Sequence, residues 1–191
     1  DVLIAQKNAL LMIKQRHGTE INLDKIPIDD EKTFELYQKG QTVGVFEFES
    51  AVMRKNLCKM HPTVFEELVA LYVFNLPGLD RSLSSYIARK KGHEKIIYDI
   101  PCMERYLKET YGFLIYQEQL MDLSRLLAGF TREESDTLRK AMAKKKQIVL
   151  DEMKPKFIEG GKKNGYNSKT LLKIWKDWET EYGSYAYMKS H

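Results

Sequence analysis

Between Leu114 and Leu127 apolar residues recur at intervals suited to one helical face, and Gly129 follows the last of them. Strand side chains alternate with period two, so this spacing fits an α-helix and not a strand. The same arrangement, an apolar-periodic segment closed by glycine, runs through the chain. It predicts a helix from about Val2 to Arg16 stopped by Gly18, and another over EKTFELYQK closed at Gly40. Further helices are predicted near Leu83–Lys91 before Gly92 and over CMERYLKETY before Gly112. Glycine ends helices because, lacking Cβ, it takes the left-handed conformation that lets the last carbonyls find donors.

The starts are marked as well. Pro27 and Asp29–Asp30 announce EKTFELYQK, and Ser50 is set to cap AVMRKNLCKM. Thr63-x-x-Glu66 and Thr131-x-x-Glu134 read as capping boxes, opening VFEELVALYVF and the helix that carries TLRKAMAKKK. Asn75-Leu76-Pro77-Gly78 breaks the former. Pro155 should kink or restart a helix ending at Gly160–Gly161, and Ser168 should open the last one, with Leu171, Leu172, Ile174, Trp175 and Trp178 on it. VGVFEFES is the best strand candidate: Val43, Val45 and Glu47 alternate with Gly44, Phe46 and Phe48, and apolar residues on both faces suggest burial. The expected fold is therefore mainly α, a compact multi-helix domain with at most one or two short strands. The first helix is set apart and could belong to a neighbouring domain.

With 191 residues and 43% hydrophobic content the chain can bury a sizeable core. A charged content of 30% and no long apolar run predict a water-soluble protein without a membrane span. Cys58 and Cys102 form no CxxC, which fits a reduced, cytoplasmic setting. The four histidines, His17, His61, His93 and His191, have no metal-ligand spacing, and no Gly-rich phosphate loop is present. Glu47, Glu49 and Glu118 could act as acids or ligands, although isolated glutamates are commonly structural. The chain opens at Asp1 inside a helical pattern and ends at YMKSH, as expected of a segment of a longer protein.

A net charge of +4 is mild, so the distribution of charge matters more than its sum. Arg139, Lys140, Lys144, Lys145 and Lys146 bring five cations into eight residues. Helical spacing puts Leu138, Ala141 and Met142 on the core face and the cations together on the other. Read alone, the run is either a solvated helix end, where cations suit the dipole, or a phosphate-binding face. Arg89, Lys90 and Lys91 form a second basic knot and Lys162–Lys163 a third. Tyr116, Gln117 and Gln119 cluster at the start of an apolar helix.

An ordered set of motifs carries a resemblance. IPIDDEKTFELYQKGQTVGVFEFES, Pro77-Gly78, ETYGFLIYQEQLM, LLAGFTREESDTLRKAMAKKK, FIEGGKKNG and KSH together resemble the fingers region of the bacterial replicative DNA polymerase III alpha subunit, the C-family polymerases. The likeness runs from about Ile26 to His191, and its wording is most similar to Bacteroidetes versions. It implies residues 1–25 as the helix leaving the palm domain with its connector, and 26–191 as the fingers domain, continuing beyond the chain. It implies that no catalytic residue lies in this chain, because the palm aspartates that hold Mg2+ would precede Asp1. Arg139, Lys140, Lys144, Lys145 and Lys146 would face the triphosphate or the nucleic-acid backbone, with Lys189, Ser190 and His191 near the nucleotide. Tyr116, Gln117 and Gln119 would line the same cleft, and Arg89, Lys90 and Lys91 could meet the DNA backbone. Implied partners are primer–template DNA, deoxynucleoside triphosphates and other replicase subunits. The chain departs from the family's wording at Glu47, Val52, Leu76, Leu79, Ala143 and Met188. These departures leave a second reading open: a non-catalytic helical module that binds DNA or protein, derived from a diverged polymerase.

Overall fold

The computed structural model describes residues 2–76, 80–182 and 187–190. Among them run ten α-helices: α1 Val2–His17, α2 Glu31–Gln38, α3 Ala51–Met60, α4 Phe65–Phe74, α5 Asp80–Lys90, α6 Glu104–Leu107, α7 Gln117–Ala128, α8 Arg132–Ala143, α9 Gln147–Lys163 and α10 Ser168–Asp177. No strand ladder forms among the described residues. A single parallel bridge joins Tyr116 to Tyr187, so the mainly α expectation holds. The Pro77-Gly78 break, Leu79 and His191 lie outside the described residues.

Local chemistry sets most helix ends. The Asp30 carboxylate accepts the Thr33 N–H at 3.0 Å, and Ser50 Oγ accepts the Met53 N–H at 3.2 Å. The Thr131 capping box closes both ways: Glu134 N–H donates to Thr131 Oγ1 at 3.1 Å, and Thr131 N–H donates to the Glu134 carboxylate at 2.9 Å.

Four expectations are corrected. The first concerns VGVFEFES, which folds as consecutive tight turns and not a strand. Thr42 Oγ1 donates to the Phe48 carbonyl at 2.6 Å, Gly44 N–H reaches the Glu49 carboxylate at 3.1 Å, and Glu47 sits at φ 65°. Val43 and Phe46 are left exposed. Second, α4 is locked by Glu67 and not Glu66. The Glu67 carboxylate accepts the Thr63 N–H at 2.7 Å.

Third, α7 starts at Gln117 and not near Leu114, because the bridge holds the preceding residues extended. Fourth, α9 passes through Pro155, Gly160 and Gly161. A Cβ at Gly160 would stand 2.1 Å from the Ala128 carbonyl oxygen, and one at Gly161 would stand 2.6 Å from Leu171 methyl carbons. These glycines permit close helix approach; they do not stop the helix.

The helices enclose two cores. The first gathers Phe34, Met53, Leu57, Leu71, Phe74 and Tyr86 from α2–α5, with Ile115 and Tyr116 added from the chain before α7. The second gathers Leu120, Leu123, Leu138, Met142, Phe157 and Trp175 from α7–α10, with Met103 and Leu107. The start of α7 is the seam: Tyr116 belongs to one core and Leu120 to the other. No described residue before Phe34 is buried, and α1 leaves Leu3, Ile4, Leu11 and Met12 exposed.

Candidate nucleotide and nucleic-acid interface

Gln119 fixes the seam. Its side-chain oxygen accepts the Ile115 and Tyr116 N–H groups at 2.9 and 3.0 Å, and its amide nitrogen donates to the Tyr106 carbonyl and to Thr110 Oγ1 at 3.0 and 2.8 Å. Gln119 is thus a buried clamp with its polar capacity spent inside the domain. Tyr116 is buried as well, and burial pushes its phenol well above the usual tyrosine range. Gln117, next along, extends towards α8 and accepts from Arg139 Nη1 at 2.9 Å.

α8 packs Leu138, Ala141 and Met142 inwards, as the spacing predicts. The opposite face is less open than the sequence suggests. Arg139 donates from Nε and Nη2 to Asp136 Oδ1 at 2.9 and 2.6 Å, and Lys140 Nζ lies 2.6 Å from Asp136 Oδ2. Hydrogen bonds from Lys140 and then Arg139 hold the Asp136 carboxyl below the usual carboxylate range. Asp136 stands three residues before Arg139 and four before Lys140. Its hold on Arg139 and Lys140 follows from i,i+3 and i,i+4 spacing, a signal present in the sequence.

Lys144, Lys145 and Lys146 differ. They occupy the turn between α8 and α9, are exposed, and form no ion pair with a described residue. Lys145 adopts φ 49°, the left-handed position that closes α8, with Lys146 N–H donating to the Ala141 carbonyl at 2.9 Å.

The segment 187–190 returns to the start of α7. Gln117 N–H donates to the Tyr187 carbonyl at 2.9 Å. Lys189 pairs with Glu109 and lies 5.7 Å from the centre of the Tyr116 ring, and its N–H reaches the Glu118 carboxylate at 3.3 Å. Ser190 is exposed beside it. Gln117, Arg139 and Lys189 are therefore brought together at the α7 N-terminus, with the buried Tyr116 ring beneath Lys189.

The 89–91 knot is dispersed. Lys90 Nζ forms a 2.8 Å ion pair with Glu67, the two side chains being 10% and 2% exposed. Burial raises the Glu67 carboxyl, but hydrogen bonds from Lys90, Tyr111 and the Thr63 amide outweigh it and leave the group below its usual range. Arg89 bonds Glu94 at 2.8 Å, with its guanidinium 4.2 Å from the centre of the Phe113 ring. Only Lys91 of the three points to solvent.

No group of three or more His, Cys, Asp or Glu side chains among the described residues could hold a metal ion. No described helix is long and apolar enough to cross a membrane.

Fold and face together define an all-helical module that presents cations at one helix junction beside a clamped seam. Over residues 3–165 the chain matches the bacterial DNA polymerase III alpha subunit finger domain. It is 45% identical to DNA polymerase III subunit alpha of Aquifex aeolicus (strain VF5) over 182 residues, covering 94% of this chain and 16% of that protein. It is 39% identical to DNA polymerase III subunit alpha of Staphylococcus aureus (strain Mu50 / ATCC 700699), covering 95% of this chain and 17% of that protein. The chain thus belongs to the bacterial DNA polymerase III alpha subunit finger-domain family, and it spans only about a sixth of the length of these relatives.

Proposed function

We propose that this chain is the fingers module of a DNA-directed DNA polymerase of the bacterial cytoplasm. In this reading residues 26–191 seat the incoming deoxynucleoside triphosphate and the primer–template, and residues 1–25 lead from the palm. Catalytic carboxylates, their Mg2+ and the contacts with other replicase subunits belong to the rest of the polymerase. The observation that carries the reading is that Lys144, Lys145 and Lys146 are exposed, form no ion pair with a described residue, and lie just beyond the Arg139 that Gln117 holds at the α7 N-terminus.

Phosphoryl transfer asks little covalent help of a protein. It needs the nucleotide held in line and cations set against developing charge. Lys144, Lys145 and Lys146 neutralise phosphate oxygens directly. Arg139 and Lys140 do so by exchanging the Asp136 carboxylate for phosphate. Because Asp136 already orders both side chains, little rotamer freedom is lost when the ligand arrives. Gln117 keeps Arg139 aimed, and Gln119 and Tyr116 hold the seam from which Gln117 projects.

The test is steady-state kinetics of the full-length polymerase with Lys144, Lys145 and Lys146 changed to Gln. Each lost charge-assisted contact is worth about 1.5–3 kcal/mol, so the nucleotide KM should rise by about tenfold or more. Unchanged KM with an unchanged salt dependence of DNA binding overturns the assignment. DNA binding lost while nucleotide KM stays constant favours the other reading, a helical nucleic-acid-binding module without a nucleotide site.

A further inference from the structure

A groove of about 320 Å³ opens between α3 and α5, and none of the residues assigned to the nucleotide is among the residues that line it. Its floor is Ile87 and Ala88, and its rim is Lys59, Ser84, Lys91 and His93. Both lysines are exposed and neither forms an ion pair among the described residues. None of the described residues that line the groove is a carboxylate. Lys55 lies one helical turn before Lys59 on α3 and is likewise exposed, with no ion pair to a described residue.

We infer that this groove is a second phosphate-binding surface, which takes the sugar-phosphate backbone of a nucleic-acid strand. The inference rests on the fingers reading and extends the backbone contact expected of Lys91 to a groove shared with Lys59, Ser84 and His93. The groove is shallow and open, so it cannot enclose most of a small ligand's surface as a metabolite site does. A polymer needs no such enclosure, because weak contacts along one strand add through a shared chain. The rim supplies two fixed cations, a hydroxyl and an imidazole, and the apolar floor suits the carbon face of a sugar. Binding of this kind is independent of base sequence and weakens with salt. The two helices meet the groove near their C-terminal ends, where the dipole opposes an anion. The site therefore steadies the strand and cannot anchor it alone.

The split of the 89–91 knot supports the assignment. Arg89 and Lys90 are turned into the domain, while Lys91 alone faces the groove opposite Lys59.

The experiment is lysine acetylation footprinting of the full-length protein, read by mass spectrometry, with and without a primer–template duplex. Lys59 and Lys91 should be protected by DNA. In the Lys59→Gln/Lys91→Gln variant the slope of log affinity against log salt should fall by about 2, each phosphate contact contributing about 0.9. Protection of Lys144–Lys146 without protection of Lys59 and Lys91 overturns the groove and leaves the fingers reading standing. Protection of neither set overturns both. Protection of Lys59 and Lys91 by oligoglutamate but not by DNA assigns the groove to an acidic protein segment and overturns the proposal.

Discussion

Two cationic runs end helices in this chain, Arg89-Lys90-Lys91 at the end of α5 and Arg139 to Lys146 across the end of α8. Each follows the preference of helix C-termini for positive charge. Their neighbours separate them. α5 packs on α4, which carries Glu67 on its inner face, and Lys90 is drawn into a nearly dry pair. α8 packs on α7 and α9, and no described acid pairs with Lys144, Lys145 or Lys146. Whether a basic run is available to a ligand is decided by the element packed beside it, and the run itself does not report that. The two sites should therefore answer substitution differently, one in stability and the other in binding.

The widest gap is expected at Lys90. Lys90→Met leaves the Glu67 carboxylate buried without its counter-charge, and loss of one partner of a buried pair costs about 3 kcal/mol. Changing Lys144, Lys145 and Lys146 together to Gln should alter unfolding free energy by no more than about 0.5 kcal/mol. Urea unfolding of both variants checks this, and equal losses would erase the distinction.

A pH series sharpens the same contrast. The folded Glu67 carboxyl titrates below its unfolded counterpart. Its contribution is thus fully present above the ordinary glutamate range and is lost as pH falls through the lower, folded value. The stability difference between wild type and Glu67→Gln should shrink steadily as urea midpoints are followed into acid. A difference that holds constant to pH 3 would mean that the pair is not what Glu67 contributes.

This contrast also marks where the sequence stops being informative. Helix ends were legible because their causes are local: Asp30, Ser50 and the Thr131–Glu134 box act within one turn. Gly160 and Gly161 misled because glycine serves both to end a helix and to admit a close neighbour, and only the fold brings the Ala128 carbonyl and Leu171 there. VGVFEFES satisfied a period-two pattern, but Thr42 and Glu49 clip it into turns. At the candidate site the cations of α8 and the cluster at 116–119 were visible as residues, and the family wording brought them together. The burial of Lys90, the inward use of Gln119 and the return of 187–190 to α7 are tertiary facts with no local signature.

Lys145 offers a smaller effect with an opposite sign. A lysine at φ 49° carries the cost of the left-handed conformation, which glycine avoids. Lys145→Gly should raise stability by about 0.5–1 kcal/mol, a gain reduced by the greater freedom of glycine in the unfolded chain. If the turn binds phosphate, the same variant should weaken nucleotide binding while melting later. A gain in Tm with unchanged binding would leave Lys145 no part in the interface.

Asp136 offers another small change in stability, and it tests most directly how the two runs differ. Asp136→Asn removes two intrahelical pairs, one of them to the half-buried Arg139, and should shift the urea midpoint only slightly. Binding should move by more. If Asp136 merely neutralises Arg139 and Lys140, releasing them adds positive charge to the face, and DNA affinity at low salt should rise. If Asp136 instead holds both side chains in the geometry that phosphate later meets, the released side chains lose that order and nucleotide KM should climb despite the added charge. A variant with tighter DNA binding and a higher KM would show both effects at once. It would mean that Asp136 does for α8 reversibly what Glu67 does for α5 permanently.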